Sequence, residues 1–279
     1  MKNIILLPVY NDWKSLNLLL KQINKKIKFT YILVVNDAST QKPYFKKDKF
    51  KQIKKIKVLT LKKKLGSQKA ISIGLDYLKK TEKFFYVTIM DSDGEDSPKQ
   101  LNKMLSLARK NKKKIITSHR TKRNESLLIQ LGYKIHLLIS LIFTWHWISF
   151  GNFSTMHSNN LKKIDLNNTW YAYPPSILKD SNTIKVFATR QARYFGDSKV
   201  SPLKLVEHSL RILVIFYGRF LLSSSLIILI SLFLNKDFFY FTIIILTLFN
   251  ALLVTIKFKH KPAKPVNYND FLRSAIIYK

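Results

Sequence analysis

Residues 84–98 read FFYVTIMDSDGEDSP. An apolar, β-favouring run from Phe84 to Met90 ends on Asp91, Asp93, Glu95 and Asp96, and Ser97–Pro98 follows. Serine before proline is the signature of a helix start: the hydroxyl caps the first free N–H groups, and proline needs none. Asp96 belongs with that helix start, which leaves Asp91, Asp93 and Glu95 for chemistry. The chain carries 16 acidic against 49 Lys and Arg side chains, a net charge of +33. A quarter of its carboxylates therefore stand in one short loop.

Working outward, the same strand-then-helix order recurs. NIILLPVY (3–10), YILVVND (31–37), IKVLTL (56–61) and KKIITSHR (113–120) are short apolar runs, as is 84–91. Helical periodicity separates them over Trp13–Ile27, Ser67–Lys80 and Pro98–Lys110. This alternation predicts a doubly wound α/β domain with a largely parallel sheet. Ligands of such sheets bind beyond the carboxyl ends of the strands. Asn11, Asp12, Asn36, Asp37, Asp91 and Asp93 all fall there.

Cysteine is absent, which excludes disulfides and thiolate metal sites. The N-terminal apolar run is too short for a signal peptide, so a mature cytosolic start is expected. Two long apolar runs, about 212–234 and 238–256, are each near the roughly 20 residues that span a bilayer. Only NKD separates them, so they are expected as a transmembrane helical hairpin. Arg219 interrupts the first run, which is tolerable near an interface. Lys199, Lys204 and Arg211 precede the pair, and Lys257, Lys259, Lys261 and Lys264 follow it. Positive flanks place both outer ends on the cytoplasmic side. Residues 127–148, with Trp145 and Trp147, are expected as interfacial helices on the membrane. The expected organisation is thus a cytoplasmic domain over 1–200, then a membrane region over 201–279 ending in a short basic, proline-broken tail. The location expected is the inner (cytoplasmic) membrane, with more than one pass.

An Asp-x-Asp at a strand end suits a hard divalent cation, Mg²⁺ or Mn²⁺. Such ions take one or two carboxylates and leave the remaining positions to substrate phosphates. Asp91, Asp93 and Glu95 are the candidate metal ligands. Arg120 and Arg123, beyond the 113–120 strand, are suited to gripping a phosphate in two places.

Several motifs together resemble family 2 glycosyltransferases. LLPVYND (6–12) resembles their opening strand and LVVNDAST (33–40) the second. LGSQKA (65–70) resembles a helix start of one subgroup. VTIMDSDGEDSP resembles the metal strand of the polyprenyl-phosphate branch, the dolichol-phosphate mannosyltransferase-like enzymes. FGNFSTM (150–156) and RQARYFGDSKVSPLKL (190–205) resemble later motifs of that branch. Asn36 stands where the family usually has Asp, and Ala38 where it has a smaller residue.

The resemblance implies a GT-A (Rossmann-like) nucleotide-sugar-binding domain. It implies that Pro8, Tyr10, Asp12, Asp37, Lys69, Asp91 and Ser92 bind the donor, with Asp37 reading the base. It implies an acceptor phosphate held by Arg120, Arg123, Arg193, Ser198 and Lys199. Asp91, Asp93, Arg120, Arg193 and Lys199 would carry catalysis. The expected partners are a nucleotide-diphosphate sugar, a polyprenyl (undecaprenyl) phosphate and membrane lipid, with no nucleic acid and the option of a homo-oligomer. Two rivals stay open: a transferase acting on a glycolipid or polysaccharide hydroxyl, and a basic membrane-attached module binding RNA or acidic lipid without catalysis.

Overall fold

A computed structural model describes residues 2–28, 30–45, 50–120, 127–189, 191–196 and 201–278, without the side chains of Arg120 and residues 127–129. The chain divides into two units: Met1–Lys122 with Phe150–Ser198 and Lys264–Lys279, and Arg123–Ser149 with Lys199–Ala263.

The first unit is built on one sheet. Its strands are β1 (Asn3–Val9), β2 (Thr30–Asn36), β3 (Ile53–Leu61), β4 (Tyr86–Ile89), β5 (Ile115–Arg120), β6 (Phe150–His157), β7 (Thr183–Ala188) and β8 (Leu272–Ile277). Their order is β7-β5-β6-β4-β1-β2-β3-β8. β4, β1, β2 and β3 are parallel. β1 is buried along its whole length, as a central strand covered on both faces must be. The chain winds from β1 through β2 to β3, then crosses to β4 on the other side of β1. That reversal opens a crevice at the carboxyl ends of β1 and β4.

Helices α1 (Trp13–Lys26), α2 (Ser67–Thr81) and α3 (Pro98–Lys110) lie where the periodicity puts them. In α1, Trp13, Leu16, Leu19, Leu20 and Ile23 recur every three or four residues and are all buried. Each such side chain contributes about 1.5–3 kcal/mol by leaving water. Asp12 caps the helix at Ser15 N, and Lys25 and Lys26 face its negative end. On α2, a Cβ at Gly74 would stand 2.7 Å from Leu6 and 2.8 Å from Val35, so glycine sets how closely α2 meets β1 and β2.

Three strands were not expected. β6 inserts antiparallel between β4 and β5, so the 84–91 and 113–120 strands are not neighbours. β7 adds parallel to β5. β8 closes the far edge antiparallel to β3. Residues 264–279, expected as a tail, thus contribute a one-turn helix (Tyr268–Phe271) and an edge strand. Pairing with β3 satisfies the N–H and C=O groups on the inner side of that strand, which a solvated tail would leave to water. The 150–188 stretch adds three short helices: Ser158–Lys163, Leu166–Tyr171 and Tyr173–Asp180.

The second unit is helical: Leu127–Thr144, Pro202–Ile215, Tyr217–Leu232 and Lys236–His260. The 212–234 run is not one helix. It breaks at Phe216 (φ −104°, ψ 28°), and the flanking helices are bent by 89°. Phe216 N–H binds back to Leu213, tightening the turn instead of continuing the helix. Tyr217–Leu232 has 16 residues, about 24 Å, short of a roughly 30 Å hydrocarbon core. Lys236–His260 has 25 residues and a mean hydropathy of 2.3 in its apolar window. Among the described residues it is the one helix long and apolar enough to cross a membrane, or one of two if the bent pair counts as a span. Arg219 is satisfied locally: it donates to Thr144 O at 2.9 Å and meets His146 Nε2 at 2.8 Å. Phe143 stacks on Phe220, and Phe249 meets both edge-on.

Candidate active site

The site grows from the ends of β1, β2 and β4. Ser92 Oγ donates to Pro8 O at 3.0 Å and ties the acid loop to β1. Asp37 N donates to Val9 O, tying β2 to β1. Asn36 ends β2 as a turn residue: its Oδ1 accepts from Ser39 N, and its Nδ2 reaches Thr60. Asn11 accepts from Thr40 N in the same way. The two loops after β1 and β2 are therefore one braced rim.

Asp37 is buried, and its two oxygens accept from Leu65 N at 2.7 Å and Gly66 N at 2.8 Å. Burial raises its pKa, while these amides, Lys64 and Lys69 pull it down. Its carboxylate thus organises the loop into α2, a role that the sequence did not announce. Asp12 acts as the α1 cap. Lys64 Nζ lies 3.7 Å above the Tyr10 ring, and Lys69 lies 5.0 Å over the Trp170 indole.

The acid loop is tightly held. Asp91 N donates to Asp96 Oδ2 at 3.1 Å, so Asp96 shapes the loop as well as preceding α3. Ser97 caps α3 at Lys99 N, with Pro98 in its first turn. Asn152, on β6, donates to Asp91 Oδ1 at 3.0 Å. Arg193 binds Asp93 Oδ2 at 3.0 Å and Glu95 Oε1 at 3.1 Å. The backbone follows: Gln191 N donates to Glu95 O and Tyr194 N to Asp93 O, each at 3.0 Å. Gly94 has φ +91°, and the Tyr194 ring lies directly over it. Burial and the neighbouring Asp93 raise the Tyr194 pKa. A cleft beside the loop is lined by Asp91, Glu95, Asp96, Ser118, Asn152 and Thr189.

Of the expected residues, the structure thus brings Pro8, Asp91, Ser92, Asp93, Glu95 and Arg193 together. Arg193 engages the carboxylates, not an open phosphate subsite. The backbone of Arg120 ends β5; its side chain, Arg123, Ser198 and Lys199 lie outside the described residues. Asp96 was assigned to the helix start alone, and Gln68, Asn152 and Tyr194 were not singled out.

The donor set suits a hard cation, being all carboxylate oxygen. No group of three metal-ligating side chains is assembled among the described residues. Asp91 and Asp93 fit a site of one or two protein ligands completed by a diphosphate, which is the usual habit of Mg²⁺.

Residues 4–179 match the family model for glycosyl transferase family 2. An uncharacterized glycosyltransferase of Synechocystis sp. (strain ATCC 27184 / PCC 6803 / Kazusa) is 26% identical over 136 residues, 47% of this chain and 42% of that protein. The chain therefore matches less than half the length of this relative. Among solved structures, S. aureus TarS 1–349 in complex with UDP-GlcNAc superposes with a TM-score of 0.50 at 18% identity, over 85% of this chain and 73% of that one. A mycobacterial protein gives 0.52 at 11% identity, over 78% and 74%. The mixed sheet with its parallel centre β4-β1-β2-β3, its switch-point crevice and the acid loop define an α/β domain of the GT-A, Rossmann-like class. The family match covers more than half the chain, so the protein belongs to glycosyl transferase family 2.

Proposed function

We propose that this chain is a membrane-attached, inverting glycosyltransferase. It moves a sugar from a nucleoside-diphosphate sugar to the phosphate of a polyprenyl lipid on the cytoplasmic leaflet. The observation that carries the reading is the acid loop at the switch point of a family 2 domain, in a chain that also carries a 25-residue apolar helix. Only 22% of that helix's apolar window is buried, with Phe241, Ile244 and Leu248 among its exposed residues. So large an apolar surface calls for a partner, and bilayer lipid fits its length. Lys257, Lys259 and Lys261 at its end suit an anionic leaflet.

Tyr10 and Asp37 sit against the base, Asp12 lies near the base or ribose, Asp91 faces the ribose and the metal, and Asp93 binds the metal at the diphosphate. A divalent cation held by Asp91 and Asp93 would supply charge neutralisation for the leaving diphosphate. An oxygen of the acceptor phosphate forms the new bond to C1 as the bond from C1 to the β-phosphate oxygen breaks. The nucleoside diphosphate departs from the opposite face. That phosphate is already ionised near neutral pH, so the chain need not supply a strong base. Its task is alignment and charge placement. UDP-GlcNAc, the molecule with TarS, makes uridine nucleotides the first donors to try.

The reading is tested by Asp93→Ala. The variant is expected to lose transfer from donor to undecaprenyl phosphate while its circular dichroism matches the wild type. Transfer at the wild-type rate would refute the placement of Asp93.

A further inference from the structure

Three hydrogen bonds run from the core to Asp91. Tyr173 N, at the start of a short helix, donates to Gln68 Oε1 at 2.6 Å. Gln68 Nε2, in the first turn of α2, donates to Asn152 Oδ1 at 3.1 Å. Asn152 Nδ2 donates to Asp91 Oδ1 at 3.0 Å. Side-chain amides can usually turn over and exchange donor for acceptor. This chain cannot. Its inner end is a backbone N–H, which only donates, on the fully buried Tyr173. Its outer end is an Asp91 carboxylate oxygen, which accepts from Asn152. Each amide therefore has one permitted orientation.

We propose that Gln68 and Asn152 are positioning residues that fix the plane of the Asp91 carboxylate for the diphosphate end of the donor. The inference rests on the donor-site reading above. Four segments distant in sequence — the α2 start, the acid loop, β6 and the 173–180 helix — converge on a single carboxylate. The direction of the hydrogen bonds, and not only their presence, carries the effect.

Polarity gives a test that separates orientation from packing. Gln68→Glu keeps the shape and still accepts from Tyr173 N, but cannot donate to Asn152. The Asn152 amide then turns its NH₂ to Glu, and its carbonyl faces Asp91. Gln68→Ala removes more atoms but leaves Asn152 able to donate to Asp91. If the residues only fill space, Ala is the worse variant in every assay. If they orient Asp91, Glu is worse for binding and Ala is worse for stability.

The experiment uses the full chain in detergent with Mn²⁺ and UDP or GDP, bound Mn²⁺ being read by electron paramagnetic resonance. Thermal midpoints are measured alongside. The expected result is affinity for Mn²⁺–nucleotide about tenfold weaker in Gln68→Glu, the scale of one charged hydrogen bond made repulsive. Gln68→Ala should weaken it less. Asn152→Leu, which leaves Asp91 without this donor, should fall with Gln68→Glu. Wild-type affinity in Gln68→Glu and Asn152→Leu, or losses that track the midpoints, would overturn the relay while leaving the donor site standing. A wild type that binds neither Mn²⁺–nucleotide overturns the donor site and the relay with it.

Discussion

Gly94 is the point where the acid loop and the 191–194 segment are pressed together, and Gly94→Ala tests that contact. A Cβ there would lie 2.3–2.5 Å from three atoms of the Tyr194 ring, closer than such atoms ever approach. The backbone at φ +91° adds its own cost for any side chain. A left-handed conformation costs roughly 1–2 kcal/mol, and forcing a packed ring aside roughly 1–3 kcal/mol. The sum is about 2–5 kcal/mol, at about 2–4 °C of melting temperature per kcal/mol for a domain of this size. The ring's retreat would also draw Arg193 from Asp93 and Glu95. Differential scanning fluorimetry of the wild type, Gly94→Ala, Tyr194→Ala and the double variant gives a mutant cycle. In the Tyr194→Ala background only the backbone cost remains, so the coupling should be about 1–3 kcal/mol in sign of relief. Gly94→Ala melting with the wild type, or a cycle that closes to zero, would refute the contact.

His119 is buried between Phe150 and Phe187, and burial, then Lys185, lowers its pKa from 6.5 to about 4. Above pH 6.5 it is neutral folded or unfolded. Below that the unfolded chain takes a proton that the folded chain refuses, so stability falls between pH 6.5 and 4, by about 3 kcal/mol. His119→Phe should flatten that part of the melting-temperature profile, and an unchanged slope would count against it. Asp37→Asn keeps the shape but turns an NH₂ toward Leu65 N or Gly66 N. It should destabilise by about 2–4 kcal/mol, from two charge-assisted hydrogen bonds weakened or lost. Amide hydrogen exchange at Leu65 and Gly66 would rise, and unchanged protection would show that Asp37 does not hold the loop.

The core of the fold was legible because its strands are continuous apolar runs and its first three helices carry strict periodicity. Ser97–Pro98 marked the α3 start to the residue. β6 was not legible: FGNFSTMH looks polar, yet Ser154 and Thr155 are buried because each pairs with a hydroxyl, Tyr173 and Thr88. β8 was hidden by the lysines and prolines before it. The break at Phe216 was invisible because an apolar run averages over a local change of backbone angle. Asp91, Asp93 and Glu95 stood out through charge contrast. Asn152 did not, since its value lies in touching Asp91, 61 positions away. Arg193 was named for a phosphate; its pairing with Asp93 and Glu95 is a long-range contact that no local pattern encodes.

The most direct measurement is transfer itself. The purified full chain, with Mn²⁺ or Mg²⁺ and a panel of UDP-, GDP- and dTDP-sugars, is assayed with and without undecaprenyl phosphate, and products are read by mass. The account predicts one sugar joined to the lipid phosphate, formed only when the lipid phosphate is present. A sugar product found on a hydroxyl acceptor, with none on the lipid phosphate under the same conditions, would contradict it.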